Sequence, residues 1–116
     1  MQRRPDVYLE LALIALRRVG EFLEDQSAED YLSSRLCQSA VERQLGIAGD
    51  ALGELAIHSP EVFQRIPDGD VLVAIREVLA LGTAALDHRR VYETAAVKTP
   101  TVLVTVEQLL AEYPEY

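Results

Sequence analysis

The side chains able to move a proton or attack a bond near neutral pH are few: His58, His88 and Cys37. Charge and imidazole come closest together in Ile75 to Tyr92, IREVLALGTAALDHRRVY. Arg76 and Glu77 stand near its start, and His88 follows Arg76 by twelve residues, within Asp87-His88-Arg89-Arg90, the most basic spot in the sequence. A guanidinium can hold a phosphate bidentately, and an imidazole can serve as acid or base because its unperturbed pKa is about 6.5. Together such groups could hold a phosphate and move a proton. The plainer reading of the same residues is a helix N-terminus, with Asp87 as cap and basic side chains in solvent. His58, just before Ser59-Pro60, reads as a helix-end residue favoured by the dipole. Cys37, in SRLCQSAV, reads as a buried, inert thiol with no histidine near it in sequence. A single cysteine excludes an intrachain disulfide and a cysteine-based metal site, and two distant histidines do not make one either. No cofactor or metal is expected.

Length and composition bound what can carry these residues. The 116 residues fit one domain, 1–116, with 49% hydrophobic residues to form its core. Leu, Ala and Val with interspersed Glu and Arg are helix-forming composition. The net charge of −8 argues against a general nucleic-acid binder, so RNA is a doubtful partner for the chain as a whole. The pairs Arg3-Arg4, Arg17-Arg18 and Arg89-Arg90 read as solvated helix faces. The apolar run of MQRRPDVYLELALIALRR is broken by Glu10 and Arg17, and no segment approaches the ~18 apolar residues of a membrane span. A soluble, cytoplasmic protein is expected.

The elements follow from periodicity. Pro5 suits a first helical turn, and Val7, Leu11, Ile14, Ala15, Arg18, Val19 and Phe22 predict an amphipathic helix to about Glu24, with Arg18 snorkelling from its apolar stripe. Ser27 and Asp30 resemble a capping box for a short helix through Tyr31 and Leu32, and Ser33-Ser34 is a bend or a fresh cap. A second long helix runs from Leu36 through Val41, Leu45, Ala48, Leu52 and Leu55 to about His58, because the residue before Pro60 resists helical geometry. Gly46, Gly49 and Gly53 on it predict a close helix approach. Val62, Phe63 and Ile66 plug a short turn onto the core. Pro67-Asp68-Gly69-Asp70 is a turn with Asp70 as cap, and Val71 to Ala80 form the third long helix, stopped by Gly82. Asp87 caps a fourth helix; Pro100 either kinks it or begins a last helix capped by Thr99. TVLVTV at 101–106 has strand-like residues but no pairing partner, so it is expected to be helical. The fold class is all-α: an antiparallel helical bundle of four to five main helices.

In this order and spacing the segments resemble the HepT-like proteins of the HEPN superfamily. RPDVYLELALIAL is similar to that family's opening helix. Ala40-Val41-Glu42-Arg43 and Ile47-Ala48-Gly49-Asp50-Ala51 resemble its Ala-Val-x-Arg and Ile-x-Gly-Glu-Ala runs. Ile66-Pro67 resembles its Ile-Pro turn, with a residue inserted before Arg76. Asp87 to Tyr92 and Pro100 fit Asp-x-x-x-Val-Trp and a proline, with Tyr92 for Trp. The resemblance, from about Arg4 to Glu112, implies a small helical homodimer with the motif helix at its interface. It also implies a toxin partnered by a minimal nucleotidyltransferase antitoxin.

The family's working motif is Arg-Asn-x-Leu-x-His-x-Tyr. The corresponding residues are Arg76-Glu77-Val78-Leu79-Ala80-Leu81-Gly82-Thr83. Arg76 and Leu79 match, Glu77 replaces Asn, Leu81 replaces the catalytic His, and Thr83 replaces the Tyr that receives a nucleotide. Metal-free RNA cleavage needs a proton taken from the 2′-hydroxyl and one given to the leaving oxygen; leucine can do neither. Arg76 is thereby vestigial, with Glu77 beside it to pair with it or to repel a phosphate. The expected function is a non-catalytic, cytoplasmic interaction protein of toxin–antitoxin type. One alternative is an active metal-independent endoribonuclease using Arg76 and a relocated base, His88 or Glu77, beside Arg89. A second is a small-ligand or nucleotide-binding module around Arg76, Arg43 and Asp50. With Leu81 at the interface, association should be stronger than with a histidine there.

Overall fold

The structure, a computed structural model, describes residues 4–82 and 86–114; Thr83 lies outside them. Among the described residues seven α-helices follow one another: α1 Pro5–Leu23, α2 Ala28–Leu32, α3 Arg35–His58, α4 Pro60–Phe63, α5 Gly69–Ala80, α6 His88–Glu93 and α7 Thr99–Leu110. A π-helical turn, Thr94–Lys98, joins α6 to α7 without a break. The described residues contain no strand, and 101–106 are helical. The all-α bundle expected from the periodicity is therefore what forms, with four long rods: α1, α3, α5 and the α6–α7 run.

Local chemistry sets most boundaries. Ser27 and Asp30 form a reciprocal capping box, the Ser27 hydroxyl accepting from Asp30 N at 3.1 Å and the Asp30 carboxylate accepting from Ser27 N at 3.0 Å. The Ser34 hydroxyl accepts from Cys37 N, and the Asp87 carboxylate from Arg90 N. Gly82, at φ +96, ends α5 in the left-handed region.

Two helix starts, the packing face of α1 and the placement of Leu36 differ from expectation. Asp70 is not the cap of α5: the helix begins at Gly69, after Asp68 in the left-handed region at φ +66, and Asp70 lies in the first turn. The reason is steric. Gly69 sits under Phe63 and Ile66, where a Cβ would meet Phe63 Cε1 at 3.1 Å, so the chain is already turned into the helix there. Thr99 caps nothing; its N–H reaches back to the Thr94 carbonyl, and its side chain is buried. The π turn immediately precedes Pro100, whose missing N–H and ring would conflict with a regular i−4 bond, so the run continues instead of stopping. Finally, α1 buries Tyr8, Leu9, Ala12, Leu13, Leu16 and Val19, while Val7, Leu11, Ile14 and Phe22 are exposed. Both sides of α1 are apolar, so periodicity alone does not choose the buried one. Leu36, expected inside, is 83% exposed.

The core is one cluster running from Tyr8 to Leu109, with Tyr31, Leu45, Leu52 and Leu72 among its fully buried side chains. α3 lies at its centre. Tyr8, near the start of α1, stacks on His58 at the end of α3, with ring centroids 5.7 Å apart. At the other end the Cys37 thiol reaches the Phe22 carbonyl at 3.7 Å, so α1 and α3 run antiparallel. α5 crosses the Gly49–Gly53 side of α3, also antiparallel. A Cβ at Gly49 would come within 2.5 Å of Arg76 Cβ and 2.8 Å of the Leu72 carbonyl oxygen. Gly53 would only touch Val73 at 4.0 Å, and Gly46 would meet nothing. The close approach predicted for three glycines thus belongs to Gly49.

The contrast is testable by chemical denaturation. Gly46→Ala should stabilise by about 0.5–1 kcal/mol through helix propensity. Gly49→Ala should destabilise by roughly 1–3 kcal/mol through overpacking against α5. Equal effects at the two positions would contradict the packing described.

Candidate functional site

Gly49 and Asp50 together place Arg76. The Arg76 stem lies over the missing Cβ of Gly49, and its Nε donates to Asp50 Oδ1 at 2.5 Å. Both side chains are substantially exposed, so the pair contributes at most about 1 kcal/mol to stability; its consequence is orientation. The pair lies in a groove of 540 Å³ between α3 and α5. The groove is apolar along Gly53, Ile57, Val73 and Ala74, and its remaining ionisable groups are Glu54, Asp70 and Glu77. One guanidinium therefore faces four carboxylates counting Asp50, and no imidazole lines the groove.

Leu81, where the family's histidine would stand, is the C-terminal cap of α5 and 75% exposed. Five residues past Arg76, at about 100° per residue, it points to a different side of the helix axis. Arg43 is exposed on α3, two turns before Asp50, and does not line the groove. The groove joins Arg76, Asp50 and Glu77 but not Arg43, His88 or Arg89.

His88 sits elsewhere. Its Nδ1 lies 3.4 Å from Glu42 Oε2 on α3, with both side chains partly buried. Tyr31 is fully buried there, and its ring packs on Tyr92 at a centroid distance of 5.4 Å; the Tyr92 hydroxyl donates to the Gln26 carbonyl. Burial, with the Glu42 and Cys37 charges adding to it, pushes the Tyr31 hydroxyl far above the usual phenol range. Arg89 reaches out to Glu29 at 3.4 Å. Sequence reasoning missed Glu42 and Tyr31 here; Glu42 reads as a surface helix position, and only the packing of α6 on α3 brings it to His88. Cys37 is half-buried and burial raises its thiol, in keeping with an inert cysteine. The described residues contain no group of His, Cys, Asp or Glu able to hold a metal. No helix among them is long and apolar enough to cross a membrane.

The described residues form an all-α bundle in which α5, bearing Arg76, lies across a central α3. The HepT-like ribonuclease family matches residues 12–109, and the chain belongs to that family. A protein of Methanocaldococcus jannaschii, named as a gamma-glutamylcyclotransferase and candidate RNase, is 22% identical over 112 residues. That match covers 97% of this chain but 50% of the relative, so the chain spans half its length. No solved structure matches the chain.

Glu42 supplies a test of the packing of α6 on α3. Burial raises its carboxyl above the ordinary range, with His88 pulling the other way. A carboxyl whose folded pKa exceeds the unfolded one contributes stability below the unfolded value, about 4.3, and loses it as pH rises through the folded value. Glu42→Gln should therefore match wild type near about pH 4 and gain in Tm relative to it as pH rises toward 7. A difference that shrinks with rising pH would contradict this burial.

Proposed function

We propose that this chain is a HepT-like protein with a non-catalytic ribonuclease site, acting by binding. It would associate with a second copy through α5 and pair with a nucleotidyltransferase-type partner. The observation that carries the reading is the state of the motif: Arg76 is tied to Asp50 in an acidic groove, and the position of the base is an exposed leucine. Without an imidazole that titrates near neutral pH, the guanidinium has no such group beside it to take the 2′-hydroxyl proton and give one to the leaving oxygen. The net charge of −8 favours a protein partner over an RNA backbone.

Self-association through α5 is supported by what α5 leaves uncovered. Only Gly69 and Leu72 of its twelve residues are fully buried, while Val78 and Leu81 are exposed and Ile75 borders an open groove toward α6. Because positions 76 and 81 lie on different sides of α5, a site using both would draw on two copies.

Two measurements test this. The restored Leu81→His/Thr83→Tyr variant should cleave single-stranded RNA, and adding Arg76→Ala should abolish the cleavage, since a positioned acid or base is worth roughly 10²–10⁴ in rate. A restored variant that stays silent would show that the frame is not that of a ribonuclease. In sedimentation equilibrium, Leu81→Asp should weaken self-association by about tenfold or more, the equivalent of ~1.4 kcal/mol. Unchanged association would remove α5 from the interface.

A further inference from the structure

The groove of 540 Å³ between α3 and α5 is lined from both walls at helical spacing. On α3, Asp50, Gly53, Glu54 and Ile57 face it at steps of three, one and three. On α5, Asp70, Val73, Ala74 and Glu77 face it at the same steps. That is the spacing of one side of a helix. The two helices are antiparallel, with Asp50 against Arg76 and Gly53 against Val73. The middle of the groove is therefore small and apolar: a Cβ on Gly53 would touch only Val73, at 4.0 Å, and Ala74 stands beside it. Ile57 borders this floor and is 72% exposed, so the floor is open to another surface. Carboxylates stand at both ends, Asp50 and Glu77 at one, Glu54 and Asp70 at the other.

The charges select the occupant. Four carboxylates and one guanidinium leave the groove a net of three negative charges, and Asp50 already holds the guanidinium. Glu54 reaches the His58 ring at 3.2 Å, and Asp70 and Glu77 have no ion partner among the described residues. An apolar floor between acidic ends fits a segment that is apolar in its middle and cationic at its ends. A nucleic-acid backbone has the wrong sign for it. Asp70 and Glu77 are two turns apart, about 10 Å along α5. A helix laid along the groove would meet both with Lys or Arg about seven residues apart, and would set the residues three and four after the first on the floor. No helix of a second copy supplies that pattern, because no two of the 11 Lys and Arg of this chain are seven apart. We propose that the α3–α5 groove docks a helix of a different protein, one that carries two basic residues about seven apart with apolar residues between them. The inference rests on the reading that this chain acts by binding, and it gives the chemistry of the partner's contact.

The probe is a fluorescein-labelled, alanine-based helical peptide with two arginines seven residues apart and leucines three and four after the first. Titrated with the full chain at low salt and followed by anisotropy, it should bind. A peptide of the same composition with its arginines adjacent should bind severalfold more weakly. Glu54→Lys/Glu77→Lys should lose the arginine peptide and gain its counterpart with glutamates in place of the arginines. Ile57→Lys should weaken binding severalfold and leave self-association in sedimentation equilibrium unchanged. Tm should stay near the wild-type value in these variants, because all three side chains are exposed. Absence of binding, equal affinity for the two arginine peptides, or failure of the charge reversal to exchange the peptides would each overturn the proposal. Loss of self-association in Ile57→Lys would overturn it too, since the groove would then meet a second copy. RNA cleavage by wild type would overturn the underlying reading, whereas failed peptide binding by a chain silent toward RNA overturns this inference alone.

Discussion

The site exists because position 49 of α3 has no side chain. A Cβ there would collide with Arg76 and with the Leu72 carbonyl, so α5 can lie across α3 at this depth only over a glycine. Everything at the motif follows from that contact. It seats the Arg76 stem, and the next residue of α3, Asp50, then captures its guanidinium. Leu72, the one large side chain of α5 that is fully buried, anchors the helix to the core one turn before. The C-terminal half of α5 is left on the surface, ending in an exposed leucine and a left-handed glycine.

The same geometry would let the frame persist under the proposed loss of its ribonuclease chemistry. Packing holds Arg76 by its stem, and that part needs no catalytic partner. The acid–base group of the family would stand at the exposed end of α5, where it supports nothing structural. Leucine can replace it at no cost to the fold, and an exposed apolar residue there favours contact with another surface. Asp50, Glu54, Asp70 and Glu77 make the groove a poor seat for a phosphate chain. On the proposed reading, fold and activity are separable at the level of single residues: Gly49 serves the first, position 81 the second.

Much of this was legible in the chain, for physical reasons that can be named. Ser27-x-x-Asp30, Ser34 and Asp87 mark helix starts because each offers an oxygen to an unpaired N–H, and all three do so. Gly82 marks a stop because only a residue without Cβ takes its φ cheaply. Other features depended on information that is not local. The helical period of α1 fits two opposite stripes, and the choice is made by where α3 and α7 pack. Which of Gly46, Gly49 and Gly53 lies at the crossing depends on the angle of α5. The junction at Pro100 was open between a kink and a new helix, and a π turn resolves it by lengthening one hydrogen-bonded loop. Around the site, Arg76 with Asp50 came from the family likeness, while Glu42 against His88 came only from tertiary contact.

The account rests on the replacement of the motif's histidine by Leu81, and the most direct measurement is cleavage of single-stranded RNA by the purified wild-type chain beside Arg76→Ala. The prediction is that both leave RNA intact at the level of buffer alone, in the presence or absence of divalent ions. Cleavage by wild type that Arg76→Ala removes would contradict it, and would mean that the guanidinium held by Asp50 works with a base other than a histidine at position 81.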